Sequence, residues 1–299
     1  MILILGGSGL LGSAILKRLL QQRFPARVLT RGLGDWRSSP IPQLKQMGIE
    51  VLVGDMTDSE VLANAINGCT AVINAAGSMT LSSDKVMQAT HLDAVKEMAR
   101  LAELSGVQRF IHVSCLGASE NSSSQFMRLK WEAEQVVKSA PFYWTIFRPS
   151  YLFGDTFPFL DMMMPILKLK PVIPLPGTGL NEIQPLPADD VAEVISRSLY
   201  NRSAVGQSYE LGGPTIYTMQ EFVELMTGTL RIRTPVMNVP SEKAEASAKI
   251  FGKVLRGFSA ELVSLMTIDS VAGENDEPLP VQLSGRTLED FLPSIIAKL

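Results

Sequence analysis

Apolar and polar positions follow two rhythms along this chain. Short runs rich in Val, Ile and Leu at residues 2–5, 27–30, 50–53, 71–74, 109–114 and 142–147 read as strands. Between them the apolar residues recur at helical spacing. Leu11, Ala14, Ile15 and Leu19 share one face, and further helices are predicted at 59–67, 91–105 and 125–139. Strand and helix alternate in this way up to about Pro149, which predicts a parallel sheet covered by helices on both faces. Beyond Arg148 prolines and glycines loosen the pattern. A helix at 188–200 and a strand at 207–211 remain clear, and Thr218-Met219-Gln220-Glu221 is a capping box that opens another helix. Amphipathic helical stretches follow at 241–255, 260–266 and 287–296. The predicted fold class is α/β, a doubly wound parallel sheet with a smaller C-terminal lobe. Residues 1–155 supply most of the sheet domain, with later elements from 185–215. Residues 156–299 form the interleaved lobe, closing over the carboxyl edge of the sheet.

The first strand runs into Gly6-Gly7-Ser8-Gly9-Leu10-Leu11-Gly12, and a helix starts at once. Strand, glycine turn and helix in that order make a dinucleotide-binding fingerprint. Gly6 permits the tight turn, Gly9 lets backbone approach a pyrophosphate, and Gly12 allows close helix–strand packing. The helix N-terminus offers free N–H groups and partial positive charge to the phosphates. After the second strand, where an NAD site usually carries an acidic residue, stands Arg31, with Arg37 close behind. A guanidinium pairs with a 2′-phosphate, which favours NADP(H) over NAD(H). Asp55, followed by Met56, is placed to reach an adenine amino group, and Ala75-Ala76-Gly77 are small enough for a cofactor to lie against the backbone.

Bulk properties narrow the class. The chain has 299 residues and a net charge of -3, with no basic tract, which argues against nucleic acid as a partner. Mean hydropathy is +0.17, yet no stretch approaches the ~18 uncharged apolar residues of a membrane span. The most apolar region, 157–176, is broken by Asp161, Lys168, Lys170 and prolines. The first strand begins at residue 2, so no secretory signal is expected. The expected location is the cytoplasm, a membrane face, or an organelle after removal of a transit peptide. Two cysteines, Cys69 and Cys115, and two histidines, His91 and His112, point to a reducing compartment and argue against a metal site or a histidine-based triad.

With these motifs the chain resembles the short-chain dehydrogenase/reductase superfamily in its extended or atypical branch. The residues that carry the resemblance are the glycine spacing, Arg31, Asp55, Ala75-Ala76-Gly77 and the strand Arg109-Phe110-Ile111-His112-Val113 leading into Ser114. More narrowly it resembles the complex I NADPH-binding accessory-subunit group, with NmrA-like and epimerase/dehydratase relatives. That narrower likeness rests on Phe147-Arg148-Pro149-Ser150-Tyr151-Leu152-Phe153-Gly154, Leu175-Pro176-Gly177-Thr178-Gly179, Gln184-Pro185 before Asp189-Asp190, and Tyr209-Glu210-Leu211-Gly212-Gly213-Pro214. It runs from residue 2 to about 228. The resemblance implies a catalytic serine at Ser114, a ribose-binding lysine at Lys130 and a cofactor contact at Pro149.

One departure matters most. The superfamily's Tyr-x-x-x-Lys pair reads Phe126-Met127-Arg128-Leu129-Lys130 here. The lysine is kept and the proton-carrying phenol is not. Losing a general acid of this kind costs ~10²–10⁴ in rate. Lys130 with a depressed pKa, or Tyr151 from another direction, are the possible substitutes, and Ser114 would only polarise a substrate oxygen. The expected function is therefore an NADP(H)-binding, non-catalytic or weakly catalytic protein. It would act as a structural, assembly or redox-sensing partner of a membrane-associated respiratory or photosynthetic electron-transfer complex. The alternative is an NADPH-dependent reductase or epimerase acting on a small carbonyl or quinone-like substrate through Lys130 and Ser114.

Four further features read as structural. Asp189 and Asp190 suit a helix N-terminus. Met162, Met163 and Met164 with Phe157, Phe159 and Leu160 fit adaptable core better than a lining for a lipid tail. Phe251, Val254, Leu255 and Phe258 form either a docking face or burial within the lobe. Glu132 and Glu134 are expected in solvent.

Overall fold

The glycine-flanked first unit forms as its spacing predicts: β1 (Ile2–Leu5) leads into α1 (Leu10–Gln21), then β2 (Ala26–Thr30), α2 (Ile41–Gln46) and β3 (Glu50–Val53). The computed structural model describes residues 1–31, 41–77, 83–168, 171–251 and 259–297; Arg37, Lys170, Val254, Leu255 and Phe258 lie outside them. The next run is α3 (Ser59–Ile66), β4 (Ala71–Asn74), α4 (Asp84–Gln88), α5 (Ala94–Leu104), β5 (Arg109–Val113), α6 (Gln125–Ser139) and β6 (Tyr143–Pro149). The rest comprises β7 (Leu152–Phe153), α7 (Pro158–Leu167), β8 (Ile173–Pro176), β9 (Glu182–Ile183), β10 (Leu186–Pro187), α8 (Ala188–Ser198), β11 (Gln207–Leu211), β12 (Tyr217–Thr218), α9 (Met219–Thr229), β13 (Val236–Val239), α10 (Ser241–Phe251), α11 (Ala260–Leu265) and α12 (Leu288–Ile296).

Seven strands form one sheet in the order β3-β2-β1-β4-β5-β6-β11, and every pairing in it is parallel. Parallel strands need both faces covered. Residues of α1 and α8 pack one face, and those of α3, α5 and α6 pack the other. Strand order reverses between β1 and β4, so the loops after these two strands diverge and leave a crevice at the carboxyl edge.

A second core gathers Tyr151, Phe153, Phe157, Phe159, Met163 and Phe222 with residues of α11 and α12. Met163 is fully buried there, so the methionine run is core. Three contacts tie this core to the sheet. The Ser150 hydroxyl donates to the Ser270 carbonyl at 2.7 Å. Gln184 Nε2 donates to the Gly213 carbonyl at 2.7 Å, and its Oε1 accepts from Ala272 N at 2.9 Å. Asp190 accepts from the Ser284 backbone and hydroxyl at 3.0 and 2.8 Å and faces Arg286 at 3.6 Å. Asp190 therefore anchors the C-terminal segment, the structural role its position suggests.

Two expectations need correction. The helix predicted from residue 91 starts at Asp84 and passes through a π-helical turn, Ala89–Asp93, before α5. The wider turn buries both His91 and Leu92, four and five residues after Met87, which breaks the 3.6-residue phase a sequence reading follows. Glu134 is not solvated: it is completely buried. Its carboxylate accepts from Arg148 Nε at 2.9 Å and Nη2 at 2.6 Å, with Lys138 at 3.7 Å. Lys130, Ala133, Glu134 and Val137 share the stripe of α6 that faces the sheet, and that stripe carries Glu134 inward.

Candidate functional site

The strand registers bring the cofactor candidates to one edge. Leu5 stands opposite Leu29 on one side and Asn74 on the other, so Gly6, Arg31 and Ala75 emerge next to one another. Gly6 has φ +80°, and a Cβ there would lie 2.7 Å from the Ala75 carbonyl and 2.8 Å from Ala76. Gly12 is tighter still, since its Cβ would reach 2.1 Å from the Gly6 carbonyl. A Cβ on Gly7 would lie 2.8 Å from the Val28 side chain. Gly9 differs: it is exposed, and its Cβ would meet only the Gly6 carbonyl, at 3.3 Å. Protein packing thus dictates Gly6 and Gly12, whereas the outer face of Gly9 is left open.

Gly9 is the N-cap of α1 and provides no side-chain cap, and the first turn holds no acidic residue. The leading N–H groups of α1 are therefore available to an anion. Ser8 takes a 3.1 Å bond from the Thr30 hydroxyl, which fixes the turn to β2. Leu10 is half-buried under Gly154, and Leu11 is in the core. Arg31 is exposed at the end of β2 and makes no ion pair among the described residues. Asp55 is exposed after β3, and its Oδ1 accepts from the Thr57 amide and hydroxyl, both at 2.9 Å. Met56 is half-buried and packs on the sheet core. Pro149 ends β6, its carbonyl accepting from Leu116 N at 3.1 Å. An open glycine face, an uncapped helix start and an unpaired arginine at the next strand end suit a dinucleotide phosphate.

Deeper under the same edge lies a polar cluster. Asn74 Oδ1 accepts from Ala76 N at 3.2 Å and so shapes the Ala75-Ala76-Gly77 loop, while its Nδ2 lies 3.2 Å from His112 Nδ1. Lys130 is buried, and its Nζ donates to the Val113 carbonyl at 2.8 Å. A Cβ on Gly77 would sit 3.7 Å from both Lys130 Nζ and His91 Cε1. The His91 ring meets Phe126 edge-on, centroids 5.0 Å apart. Burial pushes the Lys130 ammonium below the ordinary lysine value.

The position expected to hold a proton donor is sealed. Phe126 and Met127 pack with Leu265 of α11, flanked by Cys115 and Ile268. Glu261 of α11 accepts from Phe126 N at 3.0 Å and from the Ser124 hydroxyl, so it caps the start of α6. The Ser114 hydroxyl is buried with no partner among the described residues. Tyr151 is buried too: its hydroxyl donates to the Leu265 carbonyl at 3.1 Å, and burial raises its pKa. Tyr151 is committed to the second core and does not replace the missing phenol. Asn74, His91 and Glu261 went unnoticed as parts of this arrangement because nothing local in the sequence marks them. Only the π-helical turn and the docking of α11 bring the last two to it.

His112 gives a pH prediction. It is fully buried and its Nε2 lacks a partner among the described residues; burial, then the charges of Lys130 and His91, hold its pKa well below the ordinary 6.5. The unfolded chain therefore binds this proton first. Stability is full above pH ~6.5 and falls as pH drops toward the folded value, by at most about 1.4 kcal/mol per pH unit. Urea midpoints should fall between pH 7.5 and 5.5, and His112→Gln should flatten that dependence. An equal slope in both proteins would show that other groups set it.

A model described as NAD(P)H-binding matches residues 6–158. The chain is 30% identical over 288 residues to the mitochondrial NADH dehydrogenase (ubiquinone) 1 alpha subcomplex subunit 9 of Arabidopsis thaliana, covering 91% of this chain and 71% of that protein. It is 25% identical to the NAD(P)H azoreductase of Xenophilus azovorans, over 97% of this chain and 96% of that one. It is also 25% identical to the photosystem II assembly factor Ycf39 of Guillardia theta, over 86% and 77%. Among solved structures, a triphenylmethane reductase of Citrobacter sp. superposes with a TM-score of 0.73 at 15% identity, covering 99% of each chain, and shares the fold. No helix among the described residues is long and apolar enough to cross a membrane.

Proposed function

The chain belongs to the NAD(P)H-binding family, and from that premise we propose that it holds NADP(H) without turning it over, as a structural, assembly or redox-sensing partner of a membrane-associated electron-transfer complex. Relatives named as a respiratory complex subunit and a photosystem assembly factor support the partner class. In this reading residues 1–155 with 185–215 hold the dinucleotide, and residues 156–299 complete the surface a partner meets. The phosphates lie over Gly9 and the start of α1, and Arg31 pairs with the 2′-phosphate, which selects NADP(H). The nicotinamide supplies hydride chemistry when bound; the residues beneath it have no phenol to move the accompanying proton.

The observation that carries the proposal is the sealed position 126. A phenylalanine stands there, buried by Met127 and Leu265, and the hydroxyl of Tyr151 is spent on Leu265. Holding a cofactor needs only the turn and the arginine. Saturation at ~100 times the dissociation constant would add ~2.7 kcal/mol of folding stability, coupling the protein's persistence to cofactor supply.

The unpartnered Ser114 hydroxyl beside a lysine with lowered pKa favours a second reading, a reductase acting on a small carbonyl or quinone-like substrate with Lys130 as the acid. The fluorescence of bound NADPH, followed against carbonyl and quinone acceptors, separates the two. No oxidation is expected from the wild-type protein, and none from Phe126→Tyr, because the added hydroxyl enters a filled space. Turnover by the wild type would establish the reductase. A gain of about 10² or more in Phe126→Tyr would show that a substrate pocket survives.

A further inference from the structure

A cavity of about 480 Å³ opens at the far end of the second core, lined by Leu167, Lys168, Arg231, Ile232, Arg233 and Thr234. Three cations and no acidic residue line it among the described residues, in a chain whose net charge is -3. Among the described residues, Lys168, Arg231 and Arg233 make no ion pair. The cavity is remote from the glycine turn. Arg233 and Thr234 precede β13, which runs parallel to β8 from Ile173 opposite Val236 to Pro176 opposite Val239. The chain's approach to the sheet edge occurs at the other end of these strands, where a Cβ on Gly177 would lie 3.2 Å from Thr267. Four strand residues, roughly 13 Å, separate the two ends.

Cations just past helix C-termini offset the helix dipole, which accounts for Lys168 after α7 and Arg231 after α9. It does not account for Arg233, three residues beyond the C-cap Leu230, or for the convergence of all three on one concavity. Like charges left together without counter-ions repel one another, and an anion between them relieves that repulsion.

We propose that this cavity binds a phosphate ester, its anionic group held by Lys168, Arg231 and Arg233 and its carbon portion resting on the half-buried Ile232. A phosphate group carries up to two negative charges near neutral pH and several acceptor oxygens, which matches three cationic donors and the Thr234 hydroxyl. The volume exceeds what inorganic phosphate fills and lies in the range of small-ligand sites. The accessible flank of Ile232 suits the organic side of an ester. A phospholipid headgroup and a soluble sugar or glycerol phosphate share this chemistry.

The backbone provides a clean test. Arg231 has φ +55° and occupies the left-handed position of a Schellman turn: its amide bonds the Gly228 carbonyl at 3.1 Å, and Ile232 N bonds that of Thr227 at 2.8 Å. Glycine is the preferred residue there, so Arg231→Gly removes the charge and keeps the turn. The full chain, with NADPH present to fill the glycine turn, would be titrated with glycerol 3-phosphate and sedimented with phosphatidylcholine vesicles, with and without phosphatidylglycerol. Saturable binding of either anionic probe is expected. It should weaken about tenfold in Arg231→Gly and further in Arg231→Gly/Arg233→Gln, with Tm unchanged or raised, and fall with added salt. Glycerol 3-phosphate alone sufficing would identify a soluble ester; binding only to anionic vesicles would identify a headgroup. No saturable binding of any probe, equal binding by wild type and double variant, or equal binding to neutral and anionic vesicles would overturn the proposal.

Discussion

Gly12→Ala is expected to disrupt the turn after β1 and abolish dinucleotide binding, whereas Gly9→Ala should leave the fold intact and still lose most of the binding. The added methyl at Gly12 would stand 2.1 Å from the Gly6 carbonyl and 2.7 Å from Gly7 Cα. These are backbone atoms with no rotamer to change, so α1 must move off β1. Overpacking of this kind costs roughly 1–3 kcal/mol, and the displaced helix start no longer faces the phosphates. At Gly9 the methyl meets only one carbonyl, at 3.3 Å, and the N-cap φ of -81° suits alanine. Stability should change by no more than about 1 kcal/mol. NADPH affinity should drop about 10- to 100-fold, the same steric cost now borne by the ligand. Chemical denaturation and an NADPH titration on both variants check the pair. Equal loss of stability in the two would show that the Gly9 face serves packing alone.

Arg148→Met is expected to cost about 3 kcal/mol or more. Glu134 is completely buried, and Arg148 supplies two of its hydrogen bonds. Arg148 also reaches Glu210 of β11 at 3.5 Å, so the pair joins α6, β6 and the edge strand of the sheet. Removing one partner leaves an under-compensated charge in the interior, and Lys138 at 3.7 Å replaces it only in part. The double variant Glu134→Leu/Arg148→Met removes both charges and should recover most of the loss. Urea midpoints of the two single variants and the double complete the cycle. A single-variant loss below about 1 kcal/mol would mean that the pair is effectively solvated.

These two cases mark what the sequence made legible. The glycine turn, the strand sequence and the register of its loops follow from local rules, because a βα turn is specified by residues adjacent in the chain. Arg31 and Asp55 emerge where strand ends predict them. The inward face of α6 was also readable: the spacing of Lys130, Ala133, Glu134 and Val137 puts all four on one stripe. Residue type misleads there, since a glutamate on a helix is ordinarily in solvent, and its partner Arg148 lies fourteen positions away on a different element. The π-helical turn at Ala89–Asp93 hides His91 for a related reason, since it shifts the phase on which periodicity depends. The sealing of Phe126 was not legible at all. Glu261 and Leu265 come from a helix more than 130 residues further along the chain, and nothing in their local pattern says that they dock on α6.

Position 126 gains its meaning from that docking. A phenylalanine there has no proton to give, and it is buried against Met127 and Leu265 of α11. Ser114 and Lys130 both stand at the end of β5: Lys130 Nζ donates to the Val113 carbonyl, and the Ser114 backbone N–H donates to the Phe147 carbonyl at 2.7 Å. In the proposed reading, the architecture that positions a dinucleotide outlasts the group that would turn it over.

The edge formed by the glycine turn and Arg31 is proposed to bind NADP(H). Calorimetric titration of the wild type and Arg31→Ala with NADPH and with NADH tests it most directly. NADPH is expected to bind more tightly than NADH, and Arg31→Ala to weaken NADPH about tenfold or more while leaving NADH nearly unchanged. Equal affinity for the two cofactors, unmoved by the substitution, would remove Arg31 from the site; no binding of either would contradict the account at its foundation.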